Sequence, residues 1–277
     1  MRGSNLIVVG LGLFGIIFGV FVSWNWREQP LRFPSPVSVE SGRRVRLRQS
    51  IRTVGGAMTA GAISGVLVLG LVGRLVMRIL AATSGSAQGL LTKADETVGE
   101  ITSSGTIGFL IFVGLGGGII CATGYLFVRS WLPEKAGTAG LIFGILVIGT
   151  LGVSDAMSPN NGDFSILSPL WLAILLLLAT GFLFATTFTA IAARLDHFAQ
   201  TDGRGRALLY PVLIFGGIPP VGVALVVQIA LRTFAGDGFF DFIRGARVRL
   251  VGRVVIAAGT AVTAFLAGQA ALDILTA

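Results

Sequence analysis

The chain has 277 residues, of which 53% are hydrophobic and only 12% charged, with a formal net charge of +8. A water-soluble domain carries about 25% charged residues, so this composition excludes an ordinary soluble fold and points to lipid as the solvent. The positive charge lies mostly in segments flanking apolar runs, which is the pattern of membrane topology and not of a nucleic-acid-binding surface.

The expected fold class is all-α, a polytopic transmembrane helical bundle in a single membrane domain. A bilayer core needs about 20 helical residues to cross. Seven apolar runs meet that length, at 5–23, 54–73, 106–128, 137–153, 169–192, 208–231 and 251–275. The runs are continuous, whereas barrel strands would alternate apolar and polar residues.

The first run leaves through Ser23, Trp24, Asn25 and Trp26, which resembles an interfacial anchor and lacks the small-residue pattern of a cleaved signal. The segment 24–53 is read as a basic cytoplasmic loop. Its first part holds Pro30, Pro34 and Pro36. Its second part carries Arg43, Arg44, Arg46, Arg48 and Arg52, candidates for contact with anionic lipid headgroups. Only Arg2 precedes the first run, so the N-terminus is expected outside.

The second span is expected to continue as a helix to about 82, carrying Arg74 and Arg78 on one helical face. An arginine at membrane depth normally faces a partner or water. The outer loop 83–105 offers partners in Asp95, Glu96 and Glu100, on a short amphipathic helix begun by Thr92. Arg74, Arg78, Asp95, Glu96 and Glu100 thus form the candidate charged site. The simpler alternative is a pair of arginines marking a helix end beside a solvated acidic loop.

Within the spans, Gly15/Gly19, Gly61/Gly65, Gly114/Gly118 and Gly140/Gly144 have the spacing of close helix contacts. Such pairs are no more frequent than chance predicts for a chain with 40 glycines, so they specify no dimerisation face. The outer loop 155–163 reads as a plain turn.

The sixth run admits two threadings. With seven spans, positive charges divide into 12 inside and 9 outside. If 208–231 dips into the membrane and returns, the division becomes 17 and 4. Gly216, Gly217, Pro219 and Pro220 supply a candidate helix break, since proline removes backbone donors and glycine bends freely. Seven spans are the first expectation, and six spans plus a re-entrant segment the alternative.

Several chemistries are excluded. His197 is the only histidine, so two-histidine metal motifs are impossible within the chain, and it is expected as a surface residue beside Asp196. Neither lysine, Lys93 or Lys135, lies in a span. No phosphate-binding GxxxxGK[ST] sequence occurs, and no carboxylate is expected at the middle of a span. No catalytic constellation, metal set or cofactor site is expected. The partners expected are the bilayer, with anionic lipid in it, and a membrane-protein partner or further copies of the chain.

The stretch Met77–Ser84, followed by Leu91–Thr102, resembles a pattern in uncharacterised bacterial polytopic membrane proteins. The resemblance implies a bacterial cytoplasmic membrane and no known activity. It marks the arginine-plus-acidic segment as the recognisable part. Two function classes remain: a structural or accessory membrane subunit, and a small transporter or channel component using the Arg74/Arg78 end or the Pro219-Pro220 break.

Overall fold

The computed structural model describes residues 2–31, 43–85, 88–90, 97–98, 100, 102–156, 167–201 and 246–276, with isolated positions between 214 and 230. All regular structure among these residues is helical. In chain order, α1 is Arg2–Trp26 and α2 is Arg43–Ser64, which runs through a π-helical stretch Gly65–Val72 into α3, Gly73–Thr83. Helix α4, Ser103–Phe109, runs through a second π-helical stretch, Leu110–Gly116, into α5, Gly117–Val128. Helix α6, Ala136–Val147, ends in a third, Ile148–Ala156. Helix α7 is Leu170–Thr201 and α8 is Ala246–Thr276.

Among the described residues, six stretches are long and apolar enough to cross a membrane: Leu6–Trp26, Ser50–Thr83, Ser103–Val128, Ala136–Ser154, Leu170–His197 and Val248–Thr276. The chain therefore has the build of an all-α integral membrane protein. The expected span 208–231 falls largely outside the described residues.

Two boundaries differ from expectation. The basic run is not a loop: Arg43 opens α2, because Arg43–Val54 contains no glycine or proline and is rich in good helix formers. In the loop after α3, residues 92–96 of the expected short helix lie outside the described residues, while Thr97 and Val98 are not helical. Gly89 N–H donates to the Val98 carbonyl at 3.1 Å and Val98 N–H to the Leu90 carbonyl at 2.9 Å. Thr102 caps α4: its Oγ1 accepts from Gly105 N–H at 3.1 Å.

Helix α7 is the hub, packing against α1, α2, α3, α6 and α8. In lipid, burial removes no water from apolar side chains, so helices associate through close packing and interhelical hydrogen bonds. Both are present. Gly61 and Gly65 face Gly118 and Gly114 so closely that a Cβ on any of the first three would strike a backbone carbonyl of the other helix. The GxxxG pairs are thus spent inside the chain, joining the second and third spans. Gly140 and Gly144 likewise seat α6 against Thr186, Thr189 and Phe182 of α7.

Hydroxyls complete the joints. Ser23 Oγ lies 3.2 Å from both Thr186 Oγ1 and Thr187 Oγ1, linking α1 to α7. Thr189 Oγ1 donates to the Ala136 carbonyl at 3.0 Å, linking α7 to α6. The centre is filled by Tyr125, Phe143, Phe184 and Phe188, none more than 3% exposed. Their rings meet edge-on, tilted or stacked at centroid separations of 4.9–6.0 Å, within the range of favourable aromatic pairs.

The bundle has two distinct ends. One gathers Arg27, Arg129, Lys135, Arg194 and Arg253 and is called the basic end below. There the chain after α1 is stitched to the turn before α6. Leu31 N–H donates to the Glu134 carbonyl at 2.6 Å, Ala136 N–H to Gln29 at 3.0 Å and Gly137 N–H to Arg27 at 2.9 Å. The last two satisfy N–H groups that the first turn of α6 would otherwise leave orphaned. At the opposite end, fully buried Ser84 donates to the Ser168 carbonyl at 2.9 Å and accepts from Ser168 N–H at 2.7 Å.

The last turns of α7 and the first turns of α8 share the basic end. Asp196 of α7 bonds Arg129, while Gly252 of α8 lies against Trp131 and Arg253 lies 3.8 Å from Glu134. Farther along, Gly149 meets Thr263, so α8 runs parallel to α6, away from that end.

Candidate functional site

The most unusual chemistry lies where α5 and α7 finish. Arg129 follows the last residue of α5, and its N–H donates to the Tyr125 carbonyl at 2.8 Å, continuing the helix by one residue. A cation at a helix C-terminus is favoured by the partial negative charge of the exposed carbonyls. Its side chain turns inward and is 2% exposed. Arg129 Nη2 donates to Asp196 Oδ2 at 2.7 Å, and its guanidinium lies 5.7 Å from the centre of the Tyr125 ring.

Asp196 is 8% exposed in its side chain and sits within the apolar stretch Leu170–His197. Gly56 of α2 lies beside it; a Cβ there would be 4.0 Å from Asp196 Oδ1. Three helices therefore enclose one ion pair, and the small residue on α2 gives it room. A lone buried charge at this depth is costly, and a paired, hydrogen-bonded one is tolerated. The expected spans ended at 128 and 192, which left Arg129 and Asp196 beyond them. That expectation is corrected: α7 runs on to Thr201, and Asp196 lies on its buried face. His197 is half-buried, not a surface residue.

Around this pair lies a ring of exposed or half-buried charge. Lys135 Nζ is 2.8 Å from Glu28 Oε2, and the hydrogen bond and charge of Lys135 hold the Glu28 carboxyl below its ordinary range. Arg27 stacks on Trp24 at 4.1 Å, and Arg194 lies 5.9 Å from the Trp26 ring. The two tryptophans thus sit at the apolar boundary beside cations, as interface anchors do.

The expected charged site is at the opposite end. Arg74 and Arg78 are half-buried on α3. The Arg74 guanidinium lies 5.2 Å from the Phe109 ring, with Nη1 3.9 Å from Met77 Sδ. Glu100 is exposed, and Asp95 and Glu96 lie outside the described residues, so the assembly of that site is not visible. The break residues Gly216, Pro219 and Pro220 also lie outside them, while Gly217 is an exposed turn. Arg43, Arg44, Arg46 and Arg48 are on the helical backbone of α2 with side chains outside the description, and Arg52 is half-buried.

Chemically, the site at the basic end can lock helices and hold charge. Among the described residues no group of three or more His, Cys, Asp and Glu side chains is placed to hold a metal ion. No family model, curated protein or solved structure matches the chain.

Proposed function

We propose that the protein is an accessory or structural subunit of a membrane assembly, threaded with its basic end in the cytoplasm. The observation that carries the accessory reading is the filled centre. The rings of Tyr125, Phe143, Phe184 and Phe188 occupy the middle of the bundle, and the Arg129–Asp196 pair closes it at the basic end. A conduit needs a polar path along its axis. A rigid packing module does not. The apolar outer faces of α1 and α8, including Phe14, Ile17, Phe21, Val255, Val262 and Phe265, are exposed and available to lipid or a partner helix.

Native mass spectrometry of the protein purified in mild detergent tests this reading. A second polypeptide at fixed stoichiometry is expected. A homo-oligomer carrying a bound solute, with solute flux after reconstitution into vesicles, would overturn it in favour of transport. One feature favours that second reading. Three π-helical stretches lie in the half of the bundle away from the basic end, where Arg74 also lies, and such wide turns often accompany function.

The proposed threading has six crossings, with 208–231 entering and leaving on the cytoplasmic side. It is supported by the shared end of α7 and α8 and by the charge division of 17 inside to 4 outside. Both chain ends then lie outside. Single cysteines at Gly245 and Thr276, in a Cys121→Ser background, are expected to react with an impermeant reagent from opposite sides, Gly245→Cys from the cytoplasm. Labelling of Gly245→Cys only from outside would restore seven spans.

A further inference from the structure

Between the starts of α6 and α8 lies a cleft of about 420 Å³, lined by Trp131, Lys135, Thr138, Ile142, Arg253 and Ile256, among others. Its size falls in the range of small-molecule sites, about 300–1,000 Å³. Its depth is fixed by the sequence. The apolar stretches Ala136–Ser154 and Val248–Thr276 both begin here, so the cleft straddles the boundary between headgroups and acyl chains.

Its walls divide at that boundary. Lys135 and Arg253 stand at the rim, both exposed. Arg249, one helical turn before Arg253, adds a third exposed cation on the same face of α8. Ile142 and Ile256 line the part that runs into the membrane, with Thr138 between rim and floor. Among the described residues the carboxylates beside them are Glu28, 2.8 Å from Lys135, and Glu134, itself part of the lining and 3.8 Å from Arg253. With Arg27 included, four cations face two carboxylates. These solvent-exposed pairs are weak and do not hold the cations against a phosphate.

We infer that this cleft binds one anionic phospholipid from the surrounding leaflet, its phosphate held by Lys135 and Arg253 and an acyl chain laid along Ile142 and Ile256. The split of charge and apolar wall selects a molecule with both parts, which a free phosphate lacks. Basic clefts between transmembrane helices at a membrane face are suited to such headgroups. The site is distinct from the basic run Arg43–Arg52. It rests on the membrane boundary alone and stands whether or not the accessory reading holds.

The test is native mass spectrometry of the full chain titrated with phosphatidylglycerol, with phosphatidylcholine, and with inorganic phosphate. Phosphatidylglycerol is expected to saturate at one copy and to bind more tightly than phosphatidylcholine. Lys135→Gln and Arg253→Gln are each expected to weaken it about fivefold, the effect of one basic residue at a membrane surface. Ala257→Trp, at an exposed position on the cleft wall, is expected to block binding of either lipid while melting like the parent. Equal retention of phosphatidylglycerol by the parent and all three variants would overturn the site. Inorganic phosphate binding as tightly as the lipid would overturn the lipid assignment.

Discussion

Replacing Arg129 by alanine is expected to destabilise the detergent-solubilised protein by about 3–5 kcal/mol, the range for removing one partner of a buried ion pair. The loss comes less from the missing attraction than from Asp196, left charged among Gly56, Leu195 and the walls of α5 and α7. Asp196→Leu is expected to be comparably harmful, because it removes the carboxylate 2.7 Å from a guanidinium that is 2% exposed. The double variant Arg129→Met/Asp196→Leu should recover part of the loss, since apolar groups of similar volume replace both charges of the pair. Reversible unfolding in mixed micelles would measure all three. Losses in the double variant equal to the sum of the singles would show that the two residues do not act as a pair.

The second large effect is expected at the crossing of the second and third spans. Gly118→Val places a side chain against the Gly61 carbonyl and the Gly65 Cα. Neither obstacle is the flexible end of a side chain, so the helices must separate. Overpacking of this kind typically costs about 1–3 kcal/mol, and a rigid backbone contact belongs at the upper end. Gly124→Ala on the same helix is the control. Nothing lies within 4 Å of its added Cβ, so the change is expected to be neutral or to stabilise by up to about 1 kcal/mol. Melting of Gly118→Val at the parent's temperature would contradict the close crossing.

Much of the architecture was legible because lipid imposes a simple rule: every crossing must be a long apolar helix. The spans found at Ser103–Val128 and Ala136–Ser154 lie within a few residues of those read from hydropathy. The continuation of the second span past Gly73 to Thr83 was legible too. Glycine spacing was visible, but its use was not. Counting GxxxG pairs cannot tell a contact within the chain from one between chains.

The buried pair was missed because charged residues at the edge of an apolar run read as loop. A signal was present. Phe184, Phe188, Ala192 and Asp196 recur every four residues, and the first three lie on the buried stripe of α7, so Asp196 is in register with the core. Tyr125 and Arg129 repeat the same spacing on α5. Hydropathy averages over a window and discards this phase. Partner identity for Arg74 and Arg78 was not legible for a different reason: it depends on where a loop folds back, which periodicity does not encode.

The backbone stitch between the chain after α1 and the turn before α6 has a consequence in time. Its donors and acceptors, Arg27–Leu31 and Glu134–Gly137, are separated in sequence by two complete crossings, α2–α3 and α4–α5. During synthesis α1 enters the membrane long before its anchor exists. Until α6 and then α7 arrive, it has only its packing against the second span to hold it, including Gly12 against Leu75 and Gly15 against Leu67. Helix α1 is thus made before the second and third spans yet fixed only after them, and the order of insertion differs from the order of completion.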